Sequence, residues 1–246
     1  MLENKEGSNI PDVEFKVQEK NEWQSWSQDK LFAGKRVILF SLPGAFTPTC
    51  SSTHLPRYNE LAPIFKDNNI SDIYCLSVND TFVMNAWKEG QDASNITVLP
   101  DGNGEFSEGM GMLVDKAAIG FGKRSWRYSM VVDNGVIEKM FIEADVPGDP
   151  FEVSDADTML SYIAPSVKEA PKVSLFTKPS CVHCVKAKQL LTDNGYSFEE
   201  IELGKNGLSF SSLSAVSGHT TTPQVFIDGV NIGGTEDLDN WLKAAK

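Results

Sequence analysis

The chain has 246 residues, 41% of them hydrophobic and 23% charged, the balance of a folded globular protein long enough for one large or two ordinary domains. With 34 acidic against 22 basic side chains the net charge is -12, which argues against nucleic acid or an anionic membrane surface as partner, since either needs a basic face. Four cysteines are too few for a disulfide scaffold, Met1–Pro11 is polar, and no run approaches the roughly 18 apolar residues of a membrane span, so a cytoplasmic, reducing compartment is expected.

In chain order, Arg36-Val-Ile-Leu-Phe-Ser-Leu42 reads as a buried strand that ends at Pro43. A helix is expected to begin near Pro48, because proline suits a first helical turn. Ile73–Val78 is a second strand, followed by Asn79-Asp80 as cap and a helix through Trp87. Asp101–Gly111, with four glycines, predicts loop with a short helix. Tyr128–Val132 and Val136–Phe141 flank Asp133-Asn134-Gly135, a strong hairpin signal, and Asp155–Ile163 is an amphipathic helix.

Composition then shifts to Pro, Ser, Lys, Glu and Ala, which marks 164–171 as a linker between a domain at 1–163 and another at 172–246. Val173–Thr177 is a fresh strand leading into Cys181-Val-His-Cys184. A helix follows to about Thr192 and stops near Asn194-Gly195. Ser197–Leu203 is strand-like, Leu208–Val216 weakly helical, and Pro223–Asp228 a strand turning at Gly229. Gly233-Gly234 precedes a final helix capped by Thr235 or Asp237. The order β-α-β-α-β-β-α with Cys-x-x-Cys after its first strand is thioredoxin-like.

Cys50 falls in the first turn of its helix, where partial positive charge favours thiolate over thiol, and Thr47 lies within one turn of the sulfur. Pro43 and Pro48 stiffen the loop. Pro43, Thr47 and Cys50 match the Pro-x-x-x-Thr-x-x-Cys motif of peroxiredoxins. The longer string Pro43–Cys50, His54-Leu-Pro56, Cys75–Asp80 and Arg127–Val132 resemble the Prx5-type subfamily, over roughly residues 7 to 163. The resemblance implies a thioredoxin-like α/β domain and a catalytic arginine, whose counterpart is Arg127; Arg124 is left as a solvated or supporting charge. Thiolate Cys50 would attack a peroxide, with Arg127 stabilising the developing charge and Thr47 orienting the substrate. The product would be a sulfenic acid. His54 reads as structural or pocket-shaping, and Cys75, mid-strand among apolar neighbours, as buried packing. Some members of the subfamily carry a resolving cysteine near the domain end. Residues 142–170 contain none, so an outside thiol is expected to resolve the sulfenate.

The second pair could hold zinc only with two further ligands, and the close candidates are His183 and His219, so no metal is expected. Thr177–Cys184, Thr222-Pro223 and Gly233–Asp237 resemble, in order, three motifs of dithiol glutaredoxins, over about residues 171 to 246. That resemblance implies Cys181 as nucleophile and Cys184 as its partner, with Pro223 cis. It assigns glutathione to Lys178, Thr222, Pro223, Gly234, Thr235, Glu236 and Asp237. His183 and Thr222 depart from the usual aromatic and valine at their positions.

Together these features make a hybrid of two thioredoxin-like α/β domains, a peroxiredoxin followed by a glutaredoxin. The expected activity is a glutathione-dependent peroxidase acting on hydrogen peroxide and alkyl hydroperoxides, with no bound cofactor and glutathione as co-substrate. A homo-oligomer, dimer or tetramer, with thiol transfer between neighbouring chains, is expected. Two alternatives stay open: a reductase for glutathionylated proteins or protein disulfides, and a peroxide sensor.

Overall fold

Val37 to Ser41 are all buried, and this unbroken apolar run places the strand Arg36–Ser41 at the centre of a sheet covered on both faces. The computed structural model describes residues 2–167 and 171–244, and the chain divides into two compact units, Met1–Val167 and Lys168–Lys246. In the first, Arg36–Ser41 runs parallel to Asp72–Ser77, itself parallel to the edge strand Thr97–Pro100. On its other side Arg36–Ser41 is antiparallel to Tyr128–Asp133, which pairs with Val136–Ile142.

Alternate side chains divide the core in two. Ile38 and Phe40 pack with Leu55, Tyr58 and Phe65 of the helix Leu55–Asp67, with Trp87 of Thr81–Gly90 and with Leu160 of Ala156–Ile163. Val37 and Leu39 pack on the opposite face with Phe15, Trp26, Phe106 and Trp126. Each such large apolar side chain contributes about 1.5–3 kcal/mol on burial. Register decides where chemistry collects: Ser41 lies opposite Tyr128, and Tyr128 opposite Ile142. The loop after Ser41, Arg127 before Tyr128 and the chain after Ile142 therefore meet at one end of the sheet.

Several expectations need correction. The turn holding Cys50 is not α-helical: Cys50–His54 is a π-helical turn, closed by the Leu55 N–H donating to the Cys50 carbonyl. The central strand stops at Ser41, one residue short of Leu42. Asp80 alone caps the helix Thr81–Gly90, its carboxylate accepting from Phe82 and Val83 N–H. Five strands of the first unit were not anticipated: the edge strand Thr97–Pro100, the hairpin Phe15–Glu19 with Glu22–Trp26, and the antiparallel pair Leu113–Asp115 and Lys123–Ser125.

In the second unit the strand order is Glu199–Glu202, Val173–Thr177, Gln224–Ile227, Val230–Gly233, the first pair parallel and the others antiparallel. Val173, Leu175, Val225 and Ile227 pack against Ala187 and Leu191 of the helix Val182–Asp193 and Leu238 and Leu242 of Thr235–Ala244. The helix Phe210–Ser217 completes the β-α-β-α-β-β-α order. Thr235 does not cap the last helix with its side chain; its hydroxyl donates to the His183 carbonyl. Asp237 instead accepts from Gly234 N–H. Within the expected linker, Ala164 packs into the first core, while 168–170 lie outside the described residues.

Candidate active site

The strand Arg36–Ser41 delivers the chain into a loop whose shape several polar groups set. The Ala45 N–H donates to Asn79 Oδ1, and Arg124 Nη1 donates to the Val78 carbonyl beside it. A Cβ at Gly44 would come within 3.3 Å of Thr47 Cγ2, so the loop is tight there. Arg124 thus acts as a supporting charge for the loop. Thr47 Oγ1 donates to the Gly44 carbonyl at 2.9 Å, and the Ser51 N–H closes the first turn on the Thr47 carbonyl.

Cys50 is fully buried at the head of this helix, and Arg127 is only 1% exposed. Arg127 Nη1 lies 3.5 Å from Cys50 Sγ and 3.1 Å from His54 Nδ1. Its Nη2 donates to both carboxylate oxygens of Asp149, at 2.5 and 2.6 Å. Burial works against the charge on Arg127, but the neighbouring sulfur and Asp149 outweigh it and raise its pKa. Nε of Arg127 is buried and has no partner among the described residues. Phe151 covers the assembly, 5.3 Å from the guanidinium and 4.8 Å from the His54 ring.

His54 is fully buried, and burial followed by the Arg127 charge lowers its pKa to about 3. It is therefore a neutral imidazole, and its network assigns the tautomer. Nε2 lies 3.2 Å from the Ser154 carbonyl, which only accepts, so Nε2 carries the proton and Nδ1 accepts from Arg127. Cys75 is buried, and burial pushes its thiol well up, in keeping with a packing role. A cavity of about 320 Å³ is lined by Pro43, Thr47, Pro48 and Thr49, from the loop that leads into Cys50, and by Ile119, Phe121 and Asp149 among others.

In the second unit Cys181 occupies the N-cap of Val182–Asp193 and is disulfide-bonded to Cys184. Its Sγ accepts from the Cys184 N–H at 3.1 Å. The Thr222-Pro223 bond is cis, and the Thr222 carbonyl and hydroxyl oxygens lie 3.7 and 3.8 Å from Cys181 Sγ. The Thr235 hydroxyl bonds inside the Cys-x-x-Cys at the His183 carbonyl, which brings the Gly234–Asp237 turn beside the disulfide. Lys178 lines a cavity of about 350 Å³ with Cys181 and Cys184, its ammonium 5.9 Å from the Phe210 ring. Glu236 and His183 are exposed. No group of three or more His, Cys, Asp or Glu able to hold a metal occurs among the described residues.

Sequence reasoning placed Cys50 with Arg127 and Cys181 with Cys184. It did not find Asp149, Phe151, Ser154 or Glu143. Gly148-Asp149-Pro150 reads as ordinary loop, and Glu143 as the end of a strand; nothing local says that either turns back on Arg127 or its supports.

A buried thiol held against a guanidinium in one unit, and a disulfide against a cis-proline turn in the other, define a two-centre thiol oxidoreductase. Residues 5–160 match the Redoxin family model and residues 173–232 the Glutaredoxin model. The hybrid peroxiredoxin hyPrx5 of Haemophilus influenzae is 61% identical over 237 residues, 96% of this chain and 98% of that protein. Peroxiredoxin sll1621 of Synechocystis is 53% identical over 67% of this chain and 93% of its own length. Among solved structures, reduced Prx3 of Vibrio vulnificus in complex with hydrogen peroxide gives a TM-score of 0.61 at 42% identity, covering 64% of this chain and 98% of that one. The Plasmodium falciparum antioxidant protein, a 1-Cys peroxiredoxin, gives 0.63 at 36% identity, covering 66% and 100%. The chain belongs to the Redoxin family: it is a peroxiredoxin, and so a peroxidase, with a fused glutaredoxin domain. No helix among the described residues is long and apolar enough to cross a membrane.

Proposed function

We propose that the protein reduces hydrogen peroxide and alkyl hydroperoxides with glutathione, using its glutaredoxin domain to regenerate Cys50. The Cys50 thiolate attacks one oxygen of ROOH, the O–O bond breaks, and the leaving oxygen departs as ROH on taking up a proton. Thr47 has committed its own proton to Gly44, so its oxygen is the acceptor for the hydroperoxide O–H. The unpartnered Nε–H of Arg127 is the donor left for a peroxide oxygen, and the Arg127 charge meets the negative charge that develops. Pro43 and Thr49 line the cavity through which the peroxide would approach.

Cys50 is then a sulfenic acid. Glutathione condenses with it, forming a mixed disulfide and water. Cys181 attacks the glutathione sulfur, which frees Cys50 as thiolate and leaves glutathione on Cys181. A second glutathione takes that sulfur as oxidised glutathione, or Cys184 displaces it and forms the Cys181–Cys184 disulfide. Lys178 receives the glycyl carboxylate, Thr222 beside Pro223 pairs by backbone with the cysteinyl unit, and Gly234, Thr235, Glu236 and Asp237 hold the γ-glutamyl end. The cycle belongs where reduced glutathione is abundant, as in the cytosol, and in a homo-oligomer transfer can pass between chains.

The carrying observation is the Cys181–Cys184 disulfide against the Thr222-Pro223 turn. In its dithiol form this pair can deliver two electrons, in a chain with no cysteine between 142 and 170. The test is peroxide-dependent NADPH oxidation coupled through glutathione and glutathione reductase. Cys50→Ser is expected to abolish turnover and Cys181→Ser to remove most of it. Normal turnover by Cys181→Ser would refute the fused-reductant reading.

A further inference from the structure

We infer that Glu143 is a positioning residue for the peroxide reaction, its buried carboxylate fixing the turn that holds His54 and Arg127 against Cys50. Glu143 is 2% exposed, and its carboxylate has no cationic partner among the described residues; it is saturated by the turn at 152–154. Oε1 accepts from the Glu152, Val153 and Ser154 N–H groups at 3.0, 2.9 and 2.8 Å, and from the Ser154 hydroxyl at 2.7 Å. Oε2 accepts from the Glu152 N–H at 3.0 Å. Burial raises the pKa of this carboxyl, but the hydrogen bonds outweigh it and hold it below the usual carboxylate range.

The consequences run outward from Ser154. Its carbonyl accepts from His54 Nε2 at 3.2 Å and from the Tyr58 hydroxyl at 3.0 Å. That contact puts the proton of His54 on Nε2 and so leaves Nδ1 free to accept from Arg127. Were Nδ1 protonated, two N–H groups would face each other at 3.1 Å, and were the ring turned over a C–H would face the guanidinium; either way Nη1 would lose its acceptor beside Cys50. The same clasp closes the loop 144–151, which carries Asp149 and Phe151 onto the other side of the guanidinium. The backbone of Glu143 is itself tied to this corner: its N–H donates to the Arg127 carbonyl, and its carbonyl accepts from Trp126 Nε1. Two hydrogen bonds, meeting at Ser154, thus connect the Glu143 carboxylate to the histidine that orients the catalytic arginine.

Oxidation of reduced Cys50 by hydrogen peroxide needs no glutathione, so its stopped-flow rate on the full chain tests this inference independently of the reductant. The urea midpoint of the first unit in the same samples controls for folding, and glutathione exchange at Cys181 controls for the amount of active protein. Glu143→Gln keeps the shape and turns Oε2 into a donor facing the Glu152 N–H. The expected result is a loss of fivefold or more in the second-order rate, with Cys181 exchange unchanged. In a His54→Gln background the same substitution is expected to change the rate less than twofold, because its route to Arg127 is already gone. A smaller loss in the first background, or one that persists in the second, overturns the proposal. Should Glu143→Gln not fold, Ser154→Ala removes one donor only. A loss of twofold or more that vanishes in the His54→Gln background then supports the proposal, and anything less overturns it.

Discussion

Arg127 is a side chain with almost no freedom left. Cys50 and His54 share one end of its fork, Asp149 takes the other, and Phe151 lies across it. His54 serves this arrangement only while neutral, and that has a thermodynamic signature. Its pKa falls from 6.5, the ordinary value expected in the unfolded chain, to about 3 in the fold. Below pH 6.5 the unfolded chain takes up a proton that the folded one refuses, so stability is full above 6.5 and declines as pH falls towards 3. The slope from this group is about 1.4 kcal/mol per pH unit. Urea midpoints of the first unit between pH 7 and 4.5 should fall accordingly, and His54→Gln should flatten that fall. An unchanged slope in the variant would show that His54 already titrates normally. Glu143, held as a carboxylate, adds to acid sensitivity in the same direction.

At the scale of elements, the strands were legible where apolar runs were long and turns conventional. Arg36–Ser41 and the hairpin at Asp133–Gly135 are of that kind. The hairpin Phe15–Glu19 and Glu22–Trp26 was not, because Lys20 and Asn21 fill its two left-handed positions where Asn-Gly would have announced it. Thr97–Pro100 is short and ends in a proline tolerated only because the strand is at the sheet edge. The π turn at Cys50–His54 has no sequence signature at all. The junction Gly233–Thr235 was visible as two glycines, yet they do different work. Gly233 has φ 112° and a Cβ there would collide with the Asp237 carboxylate, which holds the Gly234 N–H. At Gly234 a Cβ would meet nothing closer than 3.8 Å. Gly233→Ala is therefore expected to destabilise the second unit by about 2 kcal/mol. Gly234→Ala should cost much less. Hydrogen-exchange protection of second-unit amides measures both, and equal losses would mean that the backbone at Gly233 relaxes freely.

For the whole molecule the question is what is gained by joining two thiol centres that each sit on a complete sheet and core of their own. Each cysteine site was readable from short motifs because its geometry is local to one strand–loop–helix passage. The supports of Arg127 were not, because Glu143, Asp149 and Ser154 reach it through folding alone. What covalent linkage changes is the concentration at which one centre meets the other, towards the millimolar range for a short tether. That effect has a clear test in the intact protein. A protease site placed at 168–170 allows the chain to be cut after folding. At nanomolar protein, cutting should reduce glutathione-supported peroxide turnover by tenfold or more while leaving single-turnover oxidation of Cys50 untouched. Raising the cut protein towards high micromolar should restore turnover, because the two units then meet by diffusion as often as they did when tethered. If cutting changes nothing at nanomolar protein, then glutathione alone reduces the modified Cys50 fast enough, and the attached domain serves another substrate.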